Sequence, residues 1–261
     1  LLSLLQAPLA SPAAMALALA VVLGAGFVRG FAGFGFSAFS VAGLSLLVAP
    51  TAVIPAVFVL EIVASLHMLR EGLRHADRVW LRALVMGQVI GVPVGVALLA
   101  WLPETPLRLL ICGLLLVATL SLRAGLHPQL TPTPGTRLAV GTVSGVVNGV
   151  AAIGGVVVAV LLSASAMAPH VLRATMVLML LFSDLLALLW AALLPQTGAA
   201  PLIGPDTWRW ALWLAPPMML GIWLGGLAFQ RVSAAQFRQR LLDLLLVIAL
   251  LSLGRTLWAL R

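Results

Sequence analysis

Gly26-Phe-Val-Arg-Gly-Phe-Ala-Gly-Phe-Gly-Phe36 is answered 119 residues later by Gly145-Val-Val-Asn-Gly-Val-Ala-Ala-Ile-Gly-Gly155. Gly26, Gly30 and Gly35 recur as Gly145, Gly149 and Gly154, and Pro50 recurs at the same offset as Pro169. Arg29 has Asn148 as its counterpart, and Gly33 has Ala152. Further on, Gly91, Gly95 and Arg108 recur 130 residues later as Gly221, Gly225 and Arg238. The register slips by eleven across residues 195–206, which reads as a loop insertion in the second copy. A duplicated apolar unit with glycine-interrupted segments at matching places is the pattern of a secondary transporter.

Composition agrees. Of 261 residues, 62% are hydrophobic and only 8% charged; a water-soluble domain carries roughly a quarter charged residues. Too few charges remain to cover a soluble surface, so the chain reads as an all-α polytopic membrane protein. The net charge of +8 comes from 15 arginines, with no lysine, against seven acids. The arginines lie between apolar runs, which makes them topology signals and not a nucleic-acid footprint. Cys112 sits in an apolar run and reads as core, so no disulfide framework follows from it. His67, His75, His127 and His170 sit at loop ends with no metal-ligand spacing. The chain has no glycine-rich phosphate loop ending in Lys-Ser or Lys-Thr, no G-x-S-x-G and no H-E-x-x-H. An enzyme, a metal site and a cofactor are therefore not expected.

Apolar runs at 51–69, 83–102 and 107–122 follow the opening run 11–50, which residues 29–35 interrupt. The second half repeats the order with 138–168, 171–194, 208–229 and 241–257. Residues 1–125 form the first repeat, 126–136 the linker and 137–261 the second. A full span takes about 20 residues at 1.5 Å each. The 31 residues of 138–168, with Asn148-Gly149 and Gly154-Gly155 in the middle, do not hold two of them. Each opening run is expected to be two short helices meeting near the membrane middle, as a re-entrant hairpin or a broken-helix pair, followed by three spans. The alternative is a pair of ordinary helices that use glycine for close packing. Either gives about ten helical segments and an odd number of crossings per half, so the two repeats are expected to be inverted.

Arginine placement gives the sidedness. Arg70, Arg74, Arg78, Arg82, Arg123, Arg137, Arg231, Arg238 and Arg240 fall on one side, and Arg108, Arg209, Arg255 and Arg261 on the other. The richer side is expected to be cytoplasmic and both termini outside. Trp101, Trp190, Trp208 and Trp210 are expected as interfacial anchors near the opposite face.

The candidate site is built from the interruptions. Arg29 lies inside the broken run, where a cation is costly unless paired or wet. A forked guanidinium fits oxyanions, which points to anion capture; an interfacial or ion-paired arginine is the alternative. Gly33 and Gly35 precede one short helix, and Gly154 and Gly155 its partner. Helix N-termini present N–H groups and partial positive charge. Two such ends facing one another, with Gly30 and Gly149 beside them, would hold an anion at the repeat interface, and Asn148 in place of Arg29 would make it lopsided. Ser37, Thr142 and Ser144 are candidate hydroxyl donors. Glu61 and Asp184 are intramembrane acids, expected to couple or gate transport by carrying a proton. Static partnerships of Glu61 with Arg29, or of Asp184 with Arg173, are the alternative. Glu71, Asp77, Glu104 and Asp206 read as solvated loop charges.

The two glycine motifs, and Pro169-His-Val-Leu-Arg-Ala-Thr175 after them, resemble the sulfite exporter TauE/SafE family over nearly the whole chain. The resemblance implies a carrier of small anions such as sulfite, organosulfonates or related carboxylates in the bacterial inner membrane. It also carries over Gly33-Phe34-Gly35 and Ile153-Gly154-Gly155 as site elements, with Arg173 and Thr175 as secondary candidates. The expected partners are a small anion and the lipid bilayer, not nucleic acid, with the oligomeric state open and a homodimer among the options. An anion-selective channel shares the same sequence features and is the rival reading.

Overall fold

The computed structural model describes residues 7–124, 133–162, 167–194 and 202–229, with positions 131, 246, 250 and 254. Among them it contains ten α-helices and no strand: α1 (Pro12–Ala32), α2 (Phe36–Leu44), α3 (Pro50–His67), α4 (Leu69–His75), α5 (Arg78–Trp101), α6 (Glu104–Arg123), α7 (Pro134–Ala151), α8 (Gly154–Leu162), α9 (Pro169–Leu193) and α10 (Pro205–Phe229). Six of these, α1, α3, α5, α6, α9 and α10, are long and apolar enough to cross a membrane.

The sequence sets the helix starts by a few devices. Ser11 caps α1 by accepting the Ala14 N–H, with proline at the first helical position. Thr133 caps α7 by accepting the Thr136 N–H, again before a proline. Pro50 opens α3 and Pro169 opens α9 at the matching place. Asp77 caps α5 through the N–H groups of Val79 and Trp80. At the other end of α2, Arg108 reaches from α6 to the carbonyls of Ser45 and Val48 and satisfies backbone that a nine-residue helix leaves open.

Glycine fixes how the helices meet. In lipid, helices gain nothing by hiding apolar surface from water, so close packing through small residues holds them together. The principal contacts are α5 on α7 and α10 on α1. A Cβ on Gly91 would meet the Thr142 carbonyl oxygen, and one on Gly95 the Val146 carbonyl oxygen. In the other pair, a Cβ on Gly221 would meet the carbonyl oxygen of Leu23, and one on Gly225 that of Phe27. Leu23 and Phe27 precede Thr142 and Val146 by 119 residues. Seen from the partner helices, Gly26 faces Met218 and Gly30 faces Ile222, while Gly145 faces Gln88 and Gly149 faces Val92. The repeated sequence is thus a repeated set of helix contacts, in which each half lends a long helix to the opening helix of the other. Outward faces of α5, α6, α9 and α10 expose Met86, Ile90, Val117, Leu189 and Leu212, an apolar surface suited to lipid tails.

Several expectations need adjustment. The opening pairs are unequal: α1 has 21 residues and α7 has 18, while α2 and α8 have nine each. α1 alone is about 31 Å long and α2 about 13 Å, against a hydrocarbon core of roughly 30 Å. In the first pair the break therefore follows a helix long enough to cross, whereas α7 is not among the six candidate spans. The charged stretch 70–82 contains a helix, α4, which packs on α9 through the buried Gly72, set against Leu178 and Ala174. Asp77, Glu104 and Asp206 are not loop charges but sit at helix starts, where an anion meets the positive end of the dipole. Trp101 and Trp208 are exposed as anchors would be, but Trp210 is buried in the core. The span 241–257, most of the linker, the loop 195–201, His127 and Arg231, Arg238, Arg240, Arg255 and Arg261 lie outside the described residues.

Gly91→Ala and Gly221→Ala are expected to destabilise the protein by about 1–3 kcal/mol through overpacking against backbone. Gly24→Ala and Gly113→Ala, whose added methyl meets nothing within 4 Å, are the controls. Thermal unfolding in detergent checks this: the first pair should melt lower than wild type and the second should not.

Candidate functional site

The last turn of α1 carries Arg29, and Gly33 then ends the helix in the left-handed conformation at φ 81°. Gly35, at φ 94°, starts α2. Two consecutive left-handed turns reverse no chain direction by themselves, but they free the backbone between the helices for side chains to use. Arg29 is 0% exposed and Glu61 of α3 is 1% exposed. The Arg29 guanidinium lies 3.3 Å from Glu61 Oε2, donates to the Ser65 hydroxyl at 2.7 Å and donates to the Gly33 carbonyl at 2.7 Å. The other carboxylate oxygen of Glu61 accepts the Ser37 backbone N–H at 3.2 Å, in the first turn of α2. Glu61 thus lies between a guanidinium and a helix N-terminus, the two features the sequence offers for an anion. The Nε of Arg29 has no hydrogen-bond partner.

The second half builds the counterpart with different chemistry. Ala152 ends α7 in the left-handed conformation at φ 59°, at the place of Gly33. Asn148 donates to Asp184 Oδ1 at 2.8 Å and to the Ser183 hydroxyl at 2.7 Å, and its own oxygen accepts the Gly154 N–H at 3.1 Å. Asp184 is the residue 119 beyond Ser65. The contact Arg29–Ser65 therefore has Asn148–Asp184 as its equivalent, with the charge moved from the first partner to the second. Asp184 is fully buried, and its Oδ2 has no hydrogen-bond partner. Around it Gln88 donates to Ser144 at 3.2 Å, Ser144 to the Gly154 carbonyl at 3.0 Å, and Ser183 to Gln88 at 2.8 Å.

Other candidates fall around these two junctions. The Ser37 backbone N–H, not its hydroxyl, makes the contact with Glu61. Gly30 and Gly149 sit where α1 and α7 meet α10 and α5, and Gly155 packs against Leu180. Thr142 spends its hydroxyl on the Leu138 carbonyl. Thr175 donates to the Val171 carbonyl and accepts the Asp77 N–H, so it ties α9 to the start of α5. Of the alternative ion pairs, Glu61–Arg29 forms. Arg173 instead lies 3.5 Å from Glu71, which is therefore no solvated loop charge, and donates to the Gly30 carbonyl at 3.3 Å. The Arg173 stem fills the space where a Cβ on Gly33 would go. Glycine at position 33 is thus required twice, by its φ and by Arg173, whereas at position 152 alanine takes the left-handed turn. Ser65, Gln88 and Ser183 are the residues that sequence reading missed. The repeat offset pointed to Ser65, since it pairs with Asp184; Gln88 and Ser183 carried no comparable signal. No group of three or more His, Cys, Asp or Glu suited to a metal occurs among the described residues.

A helical, multi-pass membrane protein with charged and amide side chains gathered at two broken-helix junctions belongs to the class of membrane transporters. The family described as Sulfite exporter TauE/SafE matches residues 18–252, and the chain belongs to that family, whose members are membrane transporters of sulfur anions. Neither the curated proteins nor the solved structures contain a match to it.

Arg29→Met and Glu61→Met are each expected to cost about 3–5 kcal/mol, because each strands a buried charge, and the double variant less than their sum. A double-mutant cycle read by unfolding measures the difference; strictly additive losses would remove the ion pair from the account. Ala152→Gly is expected to raise the melting temperature, since it relieves a left-handed alanine worth roughly 1–2 kcal/mol; an unchanged melt would mean that the turn carries no strain.

Proposed function

We propose that this protein is a secondary carrier that exports a small sulfur-containing or carboxylate oxyanion across the bacterial inner membrane by alternating access. In this reading the two halves are inverted repeats, with residues 126–136 as their linker, and both termini face outside. The observation that carries it is the placing of Glu61. Its carboxylate already occupies the position of an anion, held by the Arg29 guanidinium at 3.3 Å and by the N-terminus of α2 through Ser37 at 3.2 Å. A site that stabilises a carboxylate in a bilayer interior has the donors for a planar or tetrahedral oxyanion.

The same geometry supplies coupling. A substrate oxyanion and the Glu61 carboxylate compete for one guanidinium. Two anions on a single buried cation are costly, and a proton taken by Glu61 removes the conflict. Loading of the anion is thereby linked to protonation and its release to deprotonation, so the solute leaves together with a proton, and its own outward concentration gradient drives export. Asp184, whose second oxygen lacks a partner, is the second coupling acid on the Asn148 side. Gly33 and Gly35 before α2, and Gly154 and Gly155 in the first turn of α8, leave room at the helix N-termini, where Glu61 and Asn148 now accept N–H groups that the solute would take over. Gly30 and Gly149 let the flanking helices approach and slide, as a rocking of one half against the other requires.

Purified protein in liposomes, assayed with sulfite and with methanesulfonate, tests the proposal. Wild type is expected to show saturable flux with exchange. Arg29→Ala should abolish it with membrane insertion intact. Glu61→Gln should retain anion exchange but lose accumulation driven by a pH gradient, and Asp184→Asn should flatten the pH profile. Unchanged flux in Arg29→Ala would remove that residue from the site, and large unitary currents would favour a channel.

A further inference from the structure

We infer that a basic cavity beside α4 is an anion-collecting vestibule that feeds the Arg29 site. The cavity has a volume of about 500 Å³. Arg70 and Arg74 on α4 and Arg173 on α9 line it, with His67, Glu71 and His75. Glu71, the one acid among the lining residues, is held by Arg173. Arg70 and Arg74 are exposed, one helical turn apart, and neither is in an ion pair with a described residue. A concave, partly enclosed surface with uncompensated positive charge concentrates anions, because field lines focus where low-dielectric walls surround the charge.

What separates this from the ordinary excess of arginine at a cytoplasmic face is where the cavity leads. Gly30 forms part of its lining, and Gly30 follows Arg29 directly in α1. Arg173 spans the remaining step: its guanidinium binds the Gly30 carbonyl and Glu71, and its stem covers Gly33. The cavity, Arg173 and the Arg29–Glu61 pair therefore form a graded series of cations from an open surface to a fully buried one. Opposite the arginines, Trp223 and Leu227 of α10 form an apolar wall. The vestibule thus suits a small oxyanion of either inorganic or organosulfonate type, with the arginines on its charged end. An exporter loads from the arginine-rich side, so the inference rests on the carrier reading for its role but not for its ability to bind.

Two measurements on the full chain separate these points. Calorimetric titration of sulfite into the Arg29→Ala protein is expected to show weak binding that falls several-fold between about 10 and 150 mM sodium chloride, as screening requires. Adding Arg70→Gln and Arg74→Gln should abolish that binding; no binding to Arg29→Ala, or binding indifferent to the two arginines, overturns the vestibule. In liposomes, Arg70→Gln with Arg74→Gln should raise the sulfite KM about tenfold with kcat nearly unchanged, the signature of lost ground-state capture. Arg78→Gln with Arg82→Gln removes equal charge from the same side, outside the cavity lining, and should leave KM alone. Equal effects from both pairs overturn the inference in favour of bulk surface charge. Vestibule binding in a protein without sulfite flux would instead overturn the carrier reading and leave the vestibule standing.

Discussion

A buried arginine in a membrane protein constrains everything around it. Arg29 is inaccessible to solvent, and a charge held there without partners would carry a desolvation penalty of several kcal/mol. It is retained because three groups from two elements converge on it: Glu61 and Ser65 from α3, and the Gly33 carbonyl from the end of its own helix. Each of those partners depends on another feature. The Gly33 carbonyl is available because the helix ends there in a left-handed turn. Glu61 is itself held by the first turn of α2, which exists because Gly35 restarts the helix. The break in the helix, the short helix and the ion pair therefore support one another.

The glycines away from the break serve a different purpose. Gly91, Gly95, Gly221 and Gly225 have backbone from the facing helix where a side chain would be. Without a hydrophobic drive in lipid, such contact is the main source of cohesion, and it also leaves interfaces smooth enough to slide. Their reciprocal arrangement packs α1 and α7, the two helices that end at the breaks, closely against α10 and α5. The junctions that carry the charged and amide groups are thus anchored from behind while remaining irregular in front.

Much of this was legible in the chain, for a physical reason. Buried charge and helix-breaking glycine are expensive in a bilayer, so Arg29, Glu61, Asp184 and the Gly33–Gly35 interruption stand out against a 62% hydrophobic background. Helix pairs held by glycine leave a fixed spacing, so the duplication showed as matching glycines. Hydroxyls and amides did not stand out. Ser65, Gln88 and Ser183 are ordinary residues in membrane helices, and only the fold brings them to Arg29, Ser144 and Asn148. Helix α4 was hidden because a short amphipathic helix with Arg70, Glu71 and Arg74 has the composition of a loop. The Glu71–Arg173 pair was hidden with it, since it joins residues a hundred positions apart.

The departure from symmetry is as informative as the symmetry. At one pair of equivalent positions the first half has Arg29 and Ser65, and the second has Asn148 and Asp184. The first half thus provides a cation and imports a carboxylate from Glu61, four residues away from Ser65 on the same face of α3. The second half provides a carboxylate and surrounds it only with neutral donors. Here one junction favours an anion and the other favours a positive charge. In the carrier reading, that division gives the solute and a proton separate places, with the anion on the Arg29 side and a proton on the Asp184 carboxylate beside Asn148.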